Sequence, residues 1–198
     1  MHEIKPLLFS ELDGISTRTN EIHHDKLYAA YVNKRNEVEQ LQQATSNEDL
    51  GKANQIFSSW RGIKEGETFA ANGMILHEVF FAILGGNGDP AESAIGKAIT
   101  AQWGSWERFV AEFTATGLAA RGWAILAYDP SDAKLHIYGA DAQNHGGVWG
   151  ATPLLPCDVY EHAYVIDDGA DRKAYIGIFL KNVDWSKVDE IFQKVAGR

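Results

Sequence analysis

The sequence predicts an α+β protein, in which a long antiparallel α-hairpin is followed by a C-terminal α/β domain with a three-stranded antiparallel sheet. Three observations predict this fold class. Long segments of the first half contain few helix breakers. The run Gly85–Pro90 is the strongest punctuation in the chain. Beyond Gly122 the apolar runs shorten to strand length and are separated by turn residues. We therefore expect two domains, residues 1–86 and residues 87–198.

The two predicted helices of the hairpin are separated by a polar break. The first helix is predicted from about Asn20 to Gln43, with Thr17 or Thr19 as its N-cap. The second is predicted from about Asn54 to Leu84, with an interruption near Gly66. Two long helices joined by a short link form an antiparallel pair.

Helices flank the predicted sheet of the C-terminal domain, with two before it and two after it. The helices are predicted at Ala91–Gln102, Ser105–Thr116, Ala170–Leu180 and Ser186–Ala196. The strands are predicted at Trp123–Tyr128, at Lys134–Tyr138 and from Pro153 onward. Ser186 and Asp189 have the spacing of a capping box at the start of the last helix.

Composition excludes several classes of protein. Hydrophobic residues make up 45% of the 198 residues and charged residues 23%, which excludes a disordered chain. A net charge of −9 argues against nucleic acid or an anionic membrane as a partner. The single cysteine, Cys157, excludes an internal disulfide and a cysteine-rich zinc site. The first residues lack the pattern of a targeting segment, so we expect a cytoplasmic protein.

Three histidines and one aspartate have the residue types and the placement of metal ligands. Asp158 and His162 lie four residues apart, where both can point at one atom, although a salt bridge or a helix cap would use the same spacing. His23 lies on the first predicted helix and His77 on the second. A lone histidine in an apolar helix is usually a core residue, but facing histidines of two antiparallel helices can also bind a metal. Mixed oxygen and nitrogen ligands suit iron, manganese or zinc.

Taken together, these segments resemble the iron/manganese superoxide dismutase family over nearly the whole chain. The resemblance rests on four motifs in the family's order: Ile22-His23-His24-Asp25-Lys26 with Tyr31-Val32-Asn33, then His77 with Phe80-Phe81, then Gly122-Trp123-Ala124, and then Asp158-Val159-Tyr160-Glu161-His162-Ala163-Tyr164. The last is similar to the family's signature.

The resemblance implies a mechanism and a ligand set. His23, His77, Asp158 and His162 would bind one manganese or iron ion, which cycles between two oxidation states. One superoxide anion would leave as dioxygen and a second as hydrogen peroxide, so the implied enzyme is an oxidoreductase acting on superoxide.

Residues around the ligands carry further roles in the family. Tyr31 matches its gateway tyrosine and Trp123 a wall of the metal pocket. The amide that partners the tyrosine would be Gln143, with His145 as the competing choice. Gly73 occupies the position where iron-type members have glutamine, which favours a manganese enzyme or one tolerant of both metals.

The resemblance also implies an oligomer, and the sequence departs from the family there. Glu161 matches the glutamate that bonds the ligand histidine of a second subunit, so we expect a homodimer or a homotetramer. Leu27 and Val165 replace a histidine and an aromatic residue that meet across that interface, and Tyr160 replaces a tryptophan. Two alternatives on the same fold stay open: a non-catalytic scaffold, which predicts lost ligands, and a metalloprotein of different redox activity, which these departures suggest.

Overall fold

A computed structural model describes residues 1–90 and 92–197 of the chain. Ala91, where the sequence predicts a helix to begin, and Arg198 lie outside the described residues. The predicted α+β architecture is confirmed: a helical hairpin is followed by helices and a three-stranded antiparallel sheet. No helix in the described residues is long and apolar enough to cross a membrane.

The first arm of the hairpin is one continuous helix with a change of winding inside it. It consists of α1 (Thr17–Ile22), a π-helical turn (His23–Tyr28) and α2 (Ala29–Ala44). The predicted N-cap was wrong, because the side chain of Ser16 accepts from the backbone N–H of Thr19. No local pattern of residues predicts the π turn, a feature that often occurs at functional sites.

The second arm returns along the first without a break. After the short α3 (Asn47–Leu50), α4 spans Ser59–Ala82, and the interruption expected near Gly66 does not occur. The hairpin therefore places His23, the first residue of the π turn, beside the C-terminal half of α4, which carries His77.

The C-terminal domain surrounds its sheet with helices. These helices are α5 (Ala94–Trp103), α6 (Trp106–Ala119), α7 (Val165–Asp168), α8 (Arg172–Lys181) and α9 (Trp185–Ala196). The strands are β1 (Trp123–Asp129), β2 (Lys134–Ala140) and β3 (Thr152–Asp158), in the order β2-β1-β3. The central strand β1 is buried along its whole length because it is paired on both edges and covered by helices.

The register of the sheet brings distant positions of the chain together. Trp123 at the start of β1 is paired with Asp158 at the end of β3. A 3₁₀ turn at Glu161–Ala163 follows at once and carries His162. Because α4 packs against β3, the end of this strand faces the hairpin.

The predicted capping box at the last helix was wrong. Asp184, and not Ser186, caps α9, since its carboxylate accepts from the backbone N–H of Ser186. Asp189 has a tertiary role instead: its Oδ1 accepts from the backbone N–H of Ile95 in the first turn of α5, 2.7 Å away. A residue of one helix thus caps another.

Close backbone contacts join the hairpin to the C-terminal domain. The backbone N–H groups of Gly85 and Gly86 both donate to the carbonyl of Asn182. A Cβ on Gly86 would lie 2.4 Å from the Cα of Asp184, so only glycine fits this approach. The two domains are therefore held in a fixed orientation at this point.

Candidate metal centre

Four predicted side chains converge on one point between the hairpin and the sheet. The Nε2 atoms of His23 and His162 each lie 3.1 Å from Oδ2 of Asp158, and Nε2 of His77 lies 3.4 Å from the same oxygen. One ligand atom from each of the four residues lies within 4.8 Å of every other. The structure thus brings together the complete predicted ligand set.

The hydrogen bonding of His77 fixes its tautomer. Its Nδ1 lies 2.6 Å from the backbone carbonyl of Gly73, one turn earlier in α4. A carbonyl only accepts, so Nδ1 carries the proton and Nε2 presents a lone pair. Nε2 is buried and has no hydrogen-bond partner among the described residues. A lone pair aimed at a carboxylate oxygen in a dry site is a repulsive arrangement unless a cation lies between them.

Asp158 is oriented by the residues that follow it. The backbone N–H of Tyr160 donates to its Oδ1 at 2.9 Å, which leaves Oδ2 facing the histidines. Burial alone would raise the pKa of Asp158, but hydrogen bonds from His162 and His23 outweigh it and hold the pKa well below the usual range. The carboxylate therefore remains ionised in a fully buried position. Sequence reasoning missed this backbone contact, which is specified only by the turn after β3.

His23 is held neutral by its surroundings. Burial lowers its pKa from 6.5 to about 4, although the hydrogen bond to Asp158 acts in the opposite direction. Phe80 and Phe81 lie against the imidazole with ring centroids 5.0 Å away, which explains the desolvation. A neutral imidazole is the form that binds a metal.

The donor set fits a first-row transition ion. Imidazole and carboxylate ligands bind such ions, as in zinc sites, at about 2.0–2.2 Å, so neighbouring ligand atoms lie about 3.0 Å apart at right angles and about 3.6 Å apart at 120°. The observed separations of 3.1–3.4 Å from the Asp158 oxygen fall in this interval. Three imidazoles and one carboxylate are suited to iron or manganese.

A chain of hydrogen bonds runs beside the cluster. The indole Nε1 of Trp123 donates to Oε1 of Gln143 at 2.7 Å, and Nε2 of Gln143 donates to the hydroxyl of Tyr31 at 3.0 Å. Gln143 is only 3% exposed, whereas the competing His145 is exposed. The structure therefore brings Gln143 rather than His145 to Tyr31.

Tyr31 lies against both His77 and the backbone of α4. Its ring centroid is 5.2 Å from that of His77. A Cβ on Gly73 would lie 2.4 Å from Cδ1 of Tyr31, so the tyrosine ring occupies the space that any side chain at position 73 would need. Burial raises the pKa of Tyr31 and the charge of Asp158 adds to the shift, while the hydrogen bond from Gln143 opposes it.

The remaining predicted residues lie around the cluster at different depths. Trp123 is fully buried and meets His77 edge to face, with centroids 5.1 Å apart. Tyr160 stacks on His162 with an interplanar angle of 14°. Glu161 is exposed and lies outside the cluster of ligand atoms. Val165 is 47% exposed and Leu27 is half-buried.

Fold and site together indicate a class of protein: a metalloprotein with a candidate site to which a helical hairpin and an α+β domain each contribute two side chains. The family model described as iron/manganese superoxide dismutases, alpha-hairpin domain, matches residues 10–85. The one described as iron/manganese superoxide dismutases, C-terminal domain, matches residues 91–191. The chain belongs to the iron/manganese superoxide dismutase family.

Some of the chain's relatives are named for iron and others for manganese. The chain is 39% identical to the iron superoxide dismutase of Aquifex aeolicus, over 98% of this chain and 93% of that protein. It is 33% identical to manganese superoxide dismutase 1 of Halobacterium salinarum, over 100% of this chain and 98% of that protein. It is 35% identical to the iron superoxide dismutase of Cupriavidus metallidurans, over 94% of both chains.

Proposed function

We propose that this protein is a superoxide dismutase that uses one manganese or iron ion held by His23, His77, Asp158 and His162. The observation that carries the proposal is the buried lone pair of His77 Nε2, which faces the Asp158 carboxylate with no hydrogen-bond partner among the described residues. A bound cation satisfies both groups at once.

The chemistry that a bound ion supplies is one-electron exchange, which gives dioxygen from one superoxide anion and hydrogen peroxide from a second. The chain supplies the ligands and holds them in the protonation states that binding needs. His77 is fixed with its proton on Nδ1 by Gly73, and burial keeps His23 neutral. Asp158 contributes one negative charge to the ligand set.

Forming hydrogen peroxide also takes up two protons from water, and Tyr31 is placed to pass on one of them. The hydroxyl accepts from Gln143, so its own hydrogen is free to donate to a second acceptor. Gln143 can only present its N–H₂ end to Tyr31, because the donor-only indole of Trp123 holds its Oε1. Burial raises the pKa of Tyr31, so the phenol keeps its proton at neutral pH.

The metal preference is proposed to be manganese, or either metal. Two features support this: the amide comes from Gln143 after β2, and the ring of Tyr31 fills the space beside Gly73 where a glutamine side chain would have to lie. The affinities of one ligand set for these two ions are close enough for availability to decide the loading.

We also propose a homodimer, located in the cytoplasm. The exposed Glu161 next to the partly exposed His162 supports an interface at this edge, as do the exposed apolar side chains of Val165 and Ile166.

The proposed location rests on the single cysteine. The buried thiol of Cys157, which is in no disulfide, suits a reducing compartment. Light scattering gives the oligomeric state, a tetramer being the competing result, and cell fractionation gives the location.

The division into residues 1–86 and 87–198 is proposed as two structural domains that share one site. His23 and His77 come from the first and Asp158 and His162 from the second, so neither domain alone holds the four ligands. Expression of residues 1–86 and 87–198 as separate chains tests the division, with manganese binding expected only when both chains are present.

The test of function is superoxide decay by protein loaded separately with manganese, iron and zinc, with the metal content of each sample measured. Manganese protein is expected to accelerate decay, with one hydrogen peroxide formed for every two superoxide anions. Zinc protein has the same ligands but no accessible redox change, so it is the inactive control. Equal decay by zinc and manganese protein, or no acceleration by either iron or manganese protein, overturns the proposal.

A further inference from the structure

The N-terminal segment His2–Lys5 lies across the helical hairpin and is held there by its backbone. The N–H of His2 donates to Asn36 Oδ1 at 2.7 Å, and Asn36 Nδ2 donates back to the carbonyl of His2 at 2.9 Å. The N–H of Lys5 donates to the hydroxyl of Tyr28 at 3.0 Å, and His24 Nε2 lies 2.8 Å from the Lys5 carbonyl. Side chains of the first arm thus hold both ends of the segment.

Lys5 also joins the two arms of the hairpin. Its ammonium lies 2.5 Å from Oε2 of Glu78 on α4, and the hydroxyl of Tyr28 donates to the other oxygen of Glu78 at 3.2 Å. The Glu78 side chain is only 14% exposed but that of Lys5 is 66% exposed, so only the carboxylate end of this ion pair is shielded from solvent. Glu78 directly follows His77, so the connection is made at the level of the proposed metal ligands.

Tyr28 lies between the Lys5–Glu78 ion pair and His77. Its side chain is fully buried, and its ring lies nearly parallel to the His77 imidazole, at 21° with centroids 6.3 Å apart. Tyr31 contacts the same imidazole with centroids 5.2 Å apart. Two tyrosines of the first arm therefore limit the movement of the His77 ring, whose Nδ1 is hydrogen-bonded to the carbonyl of Gly73. Tyr31 has a role in proton transfer, whereas nothing in that mechanism uses Tyr28.

We propose that Tyr28 is a positioning residue for His77, and that Lys5 and Glu78 hold its hydroxyl in place. The inference rests on the proposed function, because it assigns His77 to the metal. The hydroxyl of Tyr28 is engaged both as acceptor, from Lys5, and as donor, to Glu78, and so cannot shift without breaking a partly buried bond. The Lys5 end of the segment thereby limits the movement of the His77 ring through Tyr28.

The experiment compares five manganese-loaded proteins: wild type, Tyr28→Phe, Lys5→Ala, Lys5→Arg and the control Asn36→Ala. Tyr28→Phe keeps the ring and removes the hydroxyl, and Lys5→Ala acts from outside the site. Asn36→Ala releases the same segment at His2, away from the ligands. Three readouts are taken: release of manganese to excess chelator, the electron paramagnetic resonance spectrum of the bound ion, and the unfolding temperature of the metal-free protein.

We expect Tyr28→Phe to release manganese about ten-fold faster, since partners of metal ligands typically contribute 10–100-fold to affinity. Its resonance spectrum is expected to change. Lys5→Ala is expected to speed manganese release by a smaller factor and to change the resonance spectrum less. Lys5→Arg is expected to give the release rate and spectrum of the wild type. Asn36→Ala is expected to lower the unfolding temperature of the metal-free protein and leave the other two readouts as in wild type.

Two results overturn the positioning role: a wild-type spectrum and release rate in Tyr28→Phe, or changes of equal size in Asn36→Ala. If Tyr28→Phe does not fold, Lys5→Ala decides on the same criteria. Superoxide decay by the wild-type protein is measured in parallel. Its absence counts against the proposed function, whereas normal decay together with an unchanged Tyr28→Phe counts against the positioning role alone.

Discussion

The indole of Trp123 donates to Oε1 of Gln143 across 2.7 Å, and this contact decides which end of the amide faces Tyr31. An amide can present either a donor or an acceptor, but indole nitrogen only donates. Gln143 must therefore donate to Tyr31, and the hydrogen of the phenol is left for another acceptor. The direction of the whole chain of hydrogen bonds is thus set by a fully buried residue of β1.

Replacing Trp123 by phenylalanine is expected to lower superoxide turnover by about 10–100-fold without loss of bound manganese. The change leaves the buried Oε1 of Gln143 without a donor and frees the amide to turn. Stopped-flow decay with metal analysis measures the effect. Trp185→Phe is the control, because the buried indole nitrogen of Trp185 has no hydrogen-bond partner among residues 1–90 and 92–197. Equal losses in both variants would contradict the account.

Gly73→Ala is expected to displace Tyr31, since the new Cβ would lie 2.4 Å from its ring. Overpacking of this kind typically costs about 1–3 kcal/mol of stability, and here it also moves the proton donor. Gly66→Ala on the same helix is the control: its Cβ meets only Val38, at 3.8 Å, and it is expected to stabilise the protein by about 0.5–1 kcal/mol. Denaturant unfolding and superoxide turnover give the two results. Normal turnover in Gly73→Ala would show that Tyr31 tolerates displacement.

In the metal-free protein Tyr31 is expected to ionise above pH 10. Burial and the charge of Asp158 raise its pKa, and the hydrogen bond from Gln143 lowers it. The phenol is neutral below its pKa, so its tyrosinate absorbance is expected only on the alkaline side. Gln143→Ala removes the opposing contribution and should move the titration to still higher pH. The ultraviolet difference between each protein and its Tyr31→Phe counterpart isolates this group, and a shift to lower pH would contradict the expected sign.

Asp189→Ala is expected to destabilise the protein by about 1–2 kcal/mol, because it leaves the backbone N–H of the buried Ile95, in the first turn of α5, without its acceptor. Glu190→Ala, at the exposed next position, is expected to change stability by less than about 0.5 kcal/mol. Denaturant unfolding of both variants measures the difference. Matching values would mean that the contact with Ile95 contributes nothing.

The convergence of the four candidate ligands could be predicted because each belongs to a short contiguous motif. His23, His77 and the pair Asp158 and His162 are recognisable from their immediate neighbours. Elements with a strong local pattern, such as β1 and α9, were likewise predicted to within about one residue at each end. Helices, strands and motifs that depend on a few neighbouring residues can be predicted from those residues alone.

The contacts that sequence reasoning missed join residues far apart in the chain. Asp189 caps a helix 94 positions away, and its spacing from Ser186 looked like a local capping box. The contacts of Lys5 with Tyr28 and Glu78 span 23 and 73 positions. The choice between Gln143 and His145 depended on the path of a loop. The fold, and not the local sequence, decides such partners.

One ion, held by three histidines and Asp158, is expected to carry the activity. Superoxide decay measured on samples with increasing manganese content tests this dependence. Activity should rise in proportion to bound manganese and stop rising at one ion per chain. Activity that is independent of bound manganese, or that keeps rising to two ions per chain, would contradict it.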